Sequence, residues 1–292
     1  MKKKDSLFAL LTAAAMAAAL PSLVDLLRKT TTSEYYTHIA LIPFVSFYVI
    51  VRHRKEIFRG TASAHPWGIA ALAAGFGLGV AGGLSGAGLD VRASLLTLGA
   101  LLFWCGAYLV IYGKNASRRA LFPLAFLVFA VPLPVLIVEK IIAVLVVGSA
   151  YMTRLLFMVF RVPFVQEGPL FHLPAFSLEV AQACSGIRSS LALFITTVLA
   201  GHIFLREFRT QALLALAVFP IALFKNAVRI VTLYLLSYFV DIRIIARGFL
   251  HRSGGFIFFG LGLVVLASVL WLLKGMESRS AGPETSPEAH DG

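Results

Sequence analysis

The sequence predicts an all-α fold, a polytopic bundle of about eight transmembrane helices, and three observations carry that expectation. Of 292 residues, 59% are apolar and only 14% charged, where soluble domains run near roughly 25% charged. Mean hydropathy is +0.87. Apolar runs of about 20 residues, the length a helix needs to cross the hydrocarbon core, recur along the chain. A single water-soluble globule and a disordered chain are thereby excluded. The 24 glycines follow no period, which excludes collagen, and two cysteines cannot build a disulfide framework or a four-thiolate zinc site. No metal or cofactor is expected. The net charge of +12 points, in so apolar a chain, to basic loops at a membrane face rather than to nucleic acid.

The expected spans fall at roughly 6–27, 36–52, 67–88, 93–113, 120–138, 187–204, 211–239 and 254–273. The first follows Met1-Lys2-Lys3-Lys4 and imitates a secretory signal. Its apolar run continues through Leu23 and further spans follow, so it reads as a retained span. Pro132 and Pro134 break the fifth span near its outer end, because proline lacks the amide donor a helix interior requires. The stretch 141–160 is apolar but carries Arg154 and is flanked by Glu139, Lys140 and Arg161. It reads as an amphipathic helix lying in the outer interface. Phe176-Ser177-Leu178-Glu179-Val180 alternates with period two, and Gly168-Pro169 and Pro174-Ala175 punctuate the segment. That predicts a short extracytoplasmic hairpin. From Gly275 onward the chain is polar without an apolar period, and 275–292 reads as a disordered cytoplasmic tail.

Lysine and arginine in short loops set orientation. With both termini cytoplasmic, the basic residues of 2–4, 52–59, 114–119, 206–209 and 274–279 all lie inside. Lys140, Arg154, Arg161, Arg188, Lys225, Arg229, Arg243, Arg247 and Arg252 then fall on the outer side or dip in from it, against the rule. Cations at membrane depth usually face a polar cavity or a partner. The second half is therefore where chemistry is sought.

Cys184 sits just before an expected helix whose start is marked by Ser185, with Arg188 four residues on. A helix N-terminus and a guanidinium both favour a thiolate, so this thiol is placed for nucleophilic attack. The plain alternative is an inert membrane cysteine, which is the reading for Cys105 beside Trp104. A nucleophile needs a proton handler, and His251 at the outer end of the last span or His172 in the hairpin could serve. Arg229, within an apolar segment, offers a permanently charged fork of donors suited to a developing oxyanion. Asn226 one turn earlier could orient it, and a merely snorkelling arginine is the alternative.

Ala183-Cys184-Ser185-Gly186-Ile187-Arg188-Ser189, then Asn226-Ala227-Val228-Arg229-Ile230, then His251 ahead of Gly254-Gly255 and a final span, resembles the exosortase/archaeosortase family. Leu41-Ile42-Pro43-Phe44-Val45-Ser46 and Phe129-Ala130-Val131-Pro132-Leu133-Pro134 are similar to it too, and the resemblance covers roughly 30–273. It implies a membrane-embedded cysteine protease or transpeptidase, a sortase analogue in the bacterial inner membrane with its site facing outward. Such an enzyme cleaves a C-terminal sorting signal of exported proteins: a Pro-Glu-Pro-type motif, a transmembrane helix and a basic cluster. Carried over by motif, Cys184 is the nucleophile of a thioacyl intermediate, Arg229 the oxyanion stabiliser and His251 the acid/base. Ser185, Arg188, Asn226, Arg247 and Arg252 are expected in support. The implied partners are these signals, the lipid bilayer and exopolysaccharide machinery, with no nucleic acid and no cofactor. Many relatives have an acidic residue shortly before the motif cysteine, where this chain has Gln182-Ala183, so the subfamily and its recognition motif stay open.

On that basis 1–274 forms one membrane domain: N-terminal spans (1–140), an interfacial helix and hairpin (141–183) and catalytic spans (184–274). The alternative class is a non-enzymatic transporter or assembly factor for exopolysaccharide export, with the basic second half lining an anionic path. The chain has no Gly-x-Ser-x-Gly and no His-Glu-x-x-His, which counts against a serine protease and a zinc site.

Overall fold

The computed structural model describes residues 2–30, 36, 38–59, 66–180, 186–239 and 249–280. In chain order it forms α1 (Lys2–Thr30), α2 (Leu41–Arg52), α3 (Arg54–Ile57), α4 (Pro66–Leu84), α5 (Leu89–Arg119) and α6 (Leu121–Phe126). A 3-10 turn (Leu127–Ala130), α7 (Val135–Val159), β1 (Val165–Glu167), β2 (Leu170–His172) and β3 (Ser177–Glu179) follow. The chain closes with α8 (Ile187–Phe204), α9 (Phe208–Phe239) and α10 (Phe249–Ser280). Among the described residues, α1, α4, α5, α7, α8, α9 and α10 are the seven helices long and apolar enough to cross a membrane. The all-α polytopic class holds, with seven such helices in place of about eight.

Two expected spans are lost and one helix not expected to span, α7, is gained. The run expected at 36–52 is a helix of only 12 residues, about 18 Å long and short of the hydrocarbon thickness. The run at 120–138 is cut into α6 and the 3-10 turn, and Val131 is extended (φ −77°, ψ 121°) ahead of Pro132, as the residue before proline must be. The polar backbone of the break is satisfied locally. Ser94 Oγ donates to the Pro132 carbonyl (2.6 Å), Tyr36 OH to the Leu133 carbonyl (3.1 Å), and Val135 N to Asp90 Oδ2 (3.0 Å). The apolar helix instead begins at Val135, so 141–160 belongs to a 25-residue helix of spanning length and composition rather than to a short interfacial one. Arg154 did not prevent this; it lies on an exposed position of α7.

The chain divides into two compact units, Met1–Glu139 and Lys140–Gly292. In the first, α1 is clamped to α5: Trp104 Nε1 donates to Thr12 Oγ1 (2.9 Å) and Tyr112 OH to Asp5 Oδ1 (3.1 Å). The Phe8 ring packs against Trp104, Tyr108 and Tyr112 at 5.3 to 5.7 Å. α4 lies on α5 through glycines spaced by seven, Gly68, Gly75 and Gly82, opposite Gly106, Gly99 and Leu96. Small residues let spanning helices approach to backbone contact. A Cβ on Gly75 would stand 2.3 Å from Phe103 N and 2.7 Å from the Gly99 carbonyl, whereas one on Gly77 would meet nothing within 4 Å. Gly75→Ala is therefore expected to lower stability by about 2 kcal/mol through forced separation of the helices, and Gly77→Ala to leave it unchanged or raised. Thermal unfolding of both variants in one detergent tests the pair, and equal melting temperatures would contradict it.

In the second unit the expected hairpin is a three-stranded antiparallel meander, β1-β2-β3. Phe171 pairs with Leu178 across β2 and β3. Phe171 is fully buried and meets Phe157 of α7 edge-on at 5.5 Å, and Phe157 in turn meets Tyr234 of α9 at 5.5 Å. A second apolar cluster, including Leu193, Leu214, Val218 and Leu266, joins α8, α9 and α10. α10 continues past Gly275 to Ser280, so the part of the expected tail from 275 to 280 is helical, and 281–292 lies outside the described residues. The reason is electrostatic. Glu277 accepts hydrogen bonds from Arg206 N (3.1 Å), Glu207 N (3.0 Å) and the Thr210 hydroxyl, so its carboxylate sits against the N-terminal end of α9 and the two amides just ahead of it.

Candidate active site

The site is built where α7, α8 and α9 exchange polar contacts between the two apolar clusters. α7 and α9 run in the same direction, since Gly148 meets Leu223, Ser149 bonds Asn226 and Phe157 meets Tyr234 in step. α8 and α10 run opposite to α9: Ser189 meets Lys225 and Gly201 meets Leu214, while Gly262 meets Lys225 and Glu277 meets Thr210.

Gly186 caps α8 in the left-handed conformation (φ 67°, ψ 18°). Only glycine adopts it without strain, and a Cβ there would also stand 3.0 Å from Asn226 Oδ1. Asn226 is 2% exposed, its Nδ2 donates to Ser149 Oγ at 2.9 Å, and its Oδ1 closes the space beside Gly186. That fixes which face of α9 points at the α8 start. Arg229 follows one turn along α9. Its Nε is buried and finds no hydrogen-bond partner among the described residues; nor does the hydroxyl of Thr153, one turn along α7 from Ser149. Buried donors are nearly always paired, so this guanidinium nitrogen marks a place for an acceptor other than the described residues.

Of the residues singled out by sequence, Asn226 is thus brought to the α8 start, and Arg229 lies one turn further along α9. Cys184, Ser185 and Arg247 lie outside the described residues. Arg188 stands on the exposed side of the first turn of α8. His251 and Arg252 belong to the first turn of α10, and their side chains lie outside the described residues. Backbone arithmetic still bounds the pair Arg229 and His251. Gly262 is beside Lys225; at 1.5 Å per residue His251 is about 16 Å beyond that level and Arg229 about 6 Å beyond it, a gap of about 10 Å along the axis. His172 is tied into the sheet, with Nδ1 2.9 Å from Ser177 Oγ and Nε2 3.7 Å from Glu167 Oε2. Cys105 is a half-buried free thiol within α5.

Sequence reading missed three members of this seam. Lys225 is 3% exposed and its ammonium donates to Ser189 Oγ, which donates to the Gly186 carbonyl at 3.0 Å. Ser149 is fully buried. In sequence Lys225 stands out only as a misplaced cation; the signal for the others is two hydroxyls, Ser149 and Thr153, one helical turn apart in an otherwise apolar run.

A family model described as transmembrane exosortase matches residues 29–268. No curated protein matches the chain, and no solved structure matches it.

Proposed function

We propose a function from one premise: this chain belongs to the transmembrane exosortase family. In our reading it is a membrane-embedded cysteine transpeptidase or protease that cleaves C-terminal sorting signals of exported proteins at the outer face of the inner membrane. The single observation that carries the reading is the orphaned Nε of Arg229, one turn from an asparagine locked against Gly186. Cys184 precedes Gly186 by two residues, so covalent geometry alone keeps their Cα atoms within about 7 Å. This supports a nucleophile close to the turn that Asn226 holds, with the oxyanion donor one helical turn away along α9.

The steps follow from the groups. The Cys184 thiolate attacks the scissile carbonyl, the guanidinium of Arg229 donates to the oxyanion, and His251 protonates the departing amine. An amine or water then releases the acyl group from sulfur. Orientation is supported by the second unit itself: Arg206, Arg209, Lys274 and Arg279 gather at the end of α8, α9 and α10 away from the sheet. Basic ends favour the cytoplasm, which supports an outward-facing sheet and α8 start. The test is direct. Incubating the full-length protein with a membrane-anchored substrate carrying a Pro-Glu-Pro-type signal, then quenching in acid, should trap a hydroxylamine-labile thioester on Cys184. Cleavage without a thioester, or a Cys184→Ser variant with full function in polysaccharide export, would refute the reading.

A further inference from the structure

The lysines and arginines at one end of the first unit are more than loose loop charges. Residues 52–59 and 114–119 together carry seven of them, and Lys3 and Lys4 at the start of α1 stand at the same end. Three contacts fix that arrangement. Tyr112 of α5 donates to Asp5 at the head of α1. Ile57 of α3 is 2% exposed in a cluster with Tyr108, Ala116 and Ala120, and the Phe58 ring next to it lies 5.0 Å from that of Tyr112. Arg119 Nη1 donates to the carbonyls of Glu56 (2.8 Å) and Arg59 (2.5 Å), which ties the end of α5 to the α3 turn. α5 leaves its helical path at Gly113 (φ 82°, ψ 176°). The stretch before that break is about 36 Å long, enough to cross the hydrocarbon core. Lys114 and Arg118 therefore follow at headgroup depth.

We propose that this surface is a binding site for the headgroup of an acidic phospholipid, whose phosphates are held by Arg54, Lys55, Lys114 and Arg118. All four are exposed, and none makes an ion pair among the described residues. The acids of these segments are Asp5, which already accepts from Tyr112, and Glu56. A surplus of positive charge is thereby left without a counter-charge among the described residues. The neighbouring surface favours a lipid over a soluble anion. α2 leads straight into the cations and exposes Phe47, Tyr48 and Val51, so an apolar surface for acyl chains adjoins the charges for a headgroup. Each lysine or arginine beside an anionic lipid surface raises affinity roughly fivefold. The same charges also orient the chain by the positive-inside rule. That rule needs only their number, whereas the ties through Ile57 and Arg119 hold cations of separate segments together before any ligand arrives, which lowers the entropy cost of binding. The site lies within the first unit and does not depend on the cysteine reading.

The measurement is a native mass-spectrometric titration of full-length protein in a neutral detergent with tetraoleoyl cardiolipin, and separately with dioleoylphosphatidylcholine. Cardiolipin is expected to be retained at least about tenfold more tightly than the zwitterionic lipid. Arg54→Gln/Lys55→Gln should weaken cardiolipin binding about 20-fold, two cations' worth. Lys114→Gln/Arg118→Gln should do the same, and serves if the first double variant does not fold. Arg209→Gln/Arg279→Gln removes as much charge from the basic end of the second unit and should leave the affinity within about twofold, since it spares the site. Inorganic pyrophosphate, the soluble source of the same phosphates, should not displace the lipid. Parental affinity in both folded double variants, an equal loss in Arg209→Gln/Arg279→Gln, or equal retention of phosphatidylcholine would overturn the proposal. Displacement by pyrophosphate would overturn its assignment to a lipid.

Discussion

Cys184→Ala is expected to abolish processing of a signal-bearing substrate, by on the order of 10⁴-fold or more, as loss of a nucleophile does where catalytic groups act as a unit. Cys184→Ser should be nearly as inactive, because a hydroxyl has far less anionic character than a thiol near neutral pH and needs an adjacent base. Cys105→Ala should process at the parental rate. The contrast is a matter of place. Cys105 lies mid-helix between Trp104 and Gly106, where its neighbours are apolar or small. Cys184 precedes a helix start held by Lys225 and Asn226, and one turn along α9 from Asn226 is a buried guanidinium nitrogen without a partner among the described residues. Substrate cleavage followed by immunoblot in cells expressing each variant reads the difference. Equal sensitivity of the two cysteines would defeat the assignment.

Arg229→Gln should lower kcat by about 10²- to 10³-fold, the usual effect of deleting an oxyanion donor, while Cys184 still reacts with iodoacetamide. Arg229→Lys should not restore the rate, since an ammonium lacks the planar fork of donors. Stability separates this from a structural defect. The Nε of Arg229 has no partner within the described fold, so its removal leaves no acceptor stranded there. Asn226→Ala is the counterpart: it strands a fully buried Ser149 hydroxyl and empties the contact with Gly186, a loss of about 1–3 kcal/mol in thermal unfolding. Arg229→Gln with parental melting and collapsed kcat is the expected pair of results. Unchanged turnover would remove Arg229 from the chemistry.

The membrane class, most span positions and the break at Pro132 and Pro134 were legible in the sequence because each depends on local physics. A run of apolar residues must leave water wherever it sits, and a proline cannot donate whatever surrounds it. The same locality explains the errors. Counting apolar residues could not tell whether Val135–Val159 would form one helix, because the charged Glu139, Lys140 and Arg154 read as an interfacial boundary in one dimension. It also gave no reason for 275–280 to stay helical. That depends on Glu277 meeting the start of α9, whose amides lie about seventy residues away in sequence.

What the sequence by itself determined about this protein is its solvent, its helical class and the identity of the motifs at Cys184, Asn226 and Arg229. What only the tertiary structure decided is which of the misplaced cations face one another's neighbours. Lys225 and Arg229 differ by a single helical turn and look alike as letters. Packing hands the first a hydroxyl from α8 and a glycine of α10, and leaves the second with a buried donor that finds no partner among the described residues. Hydrogen-bond partners are chosen by helices that meet across long sequence separations, and that choice is a property of the folded chain.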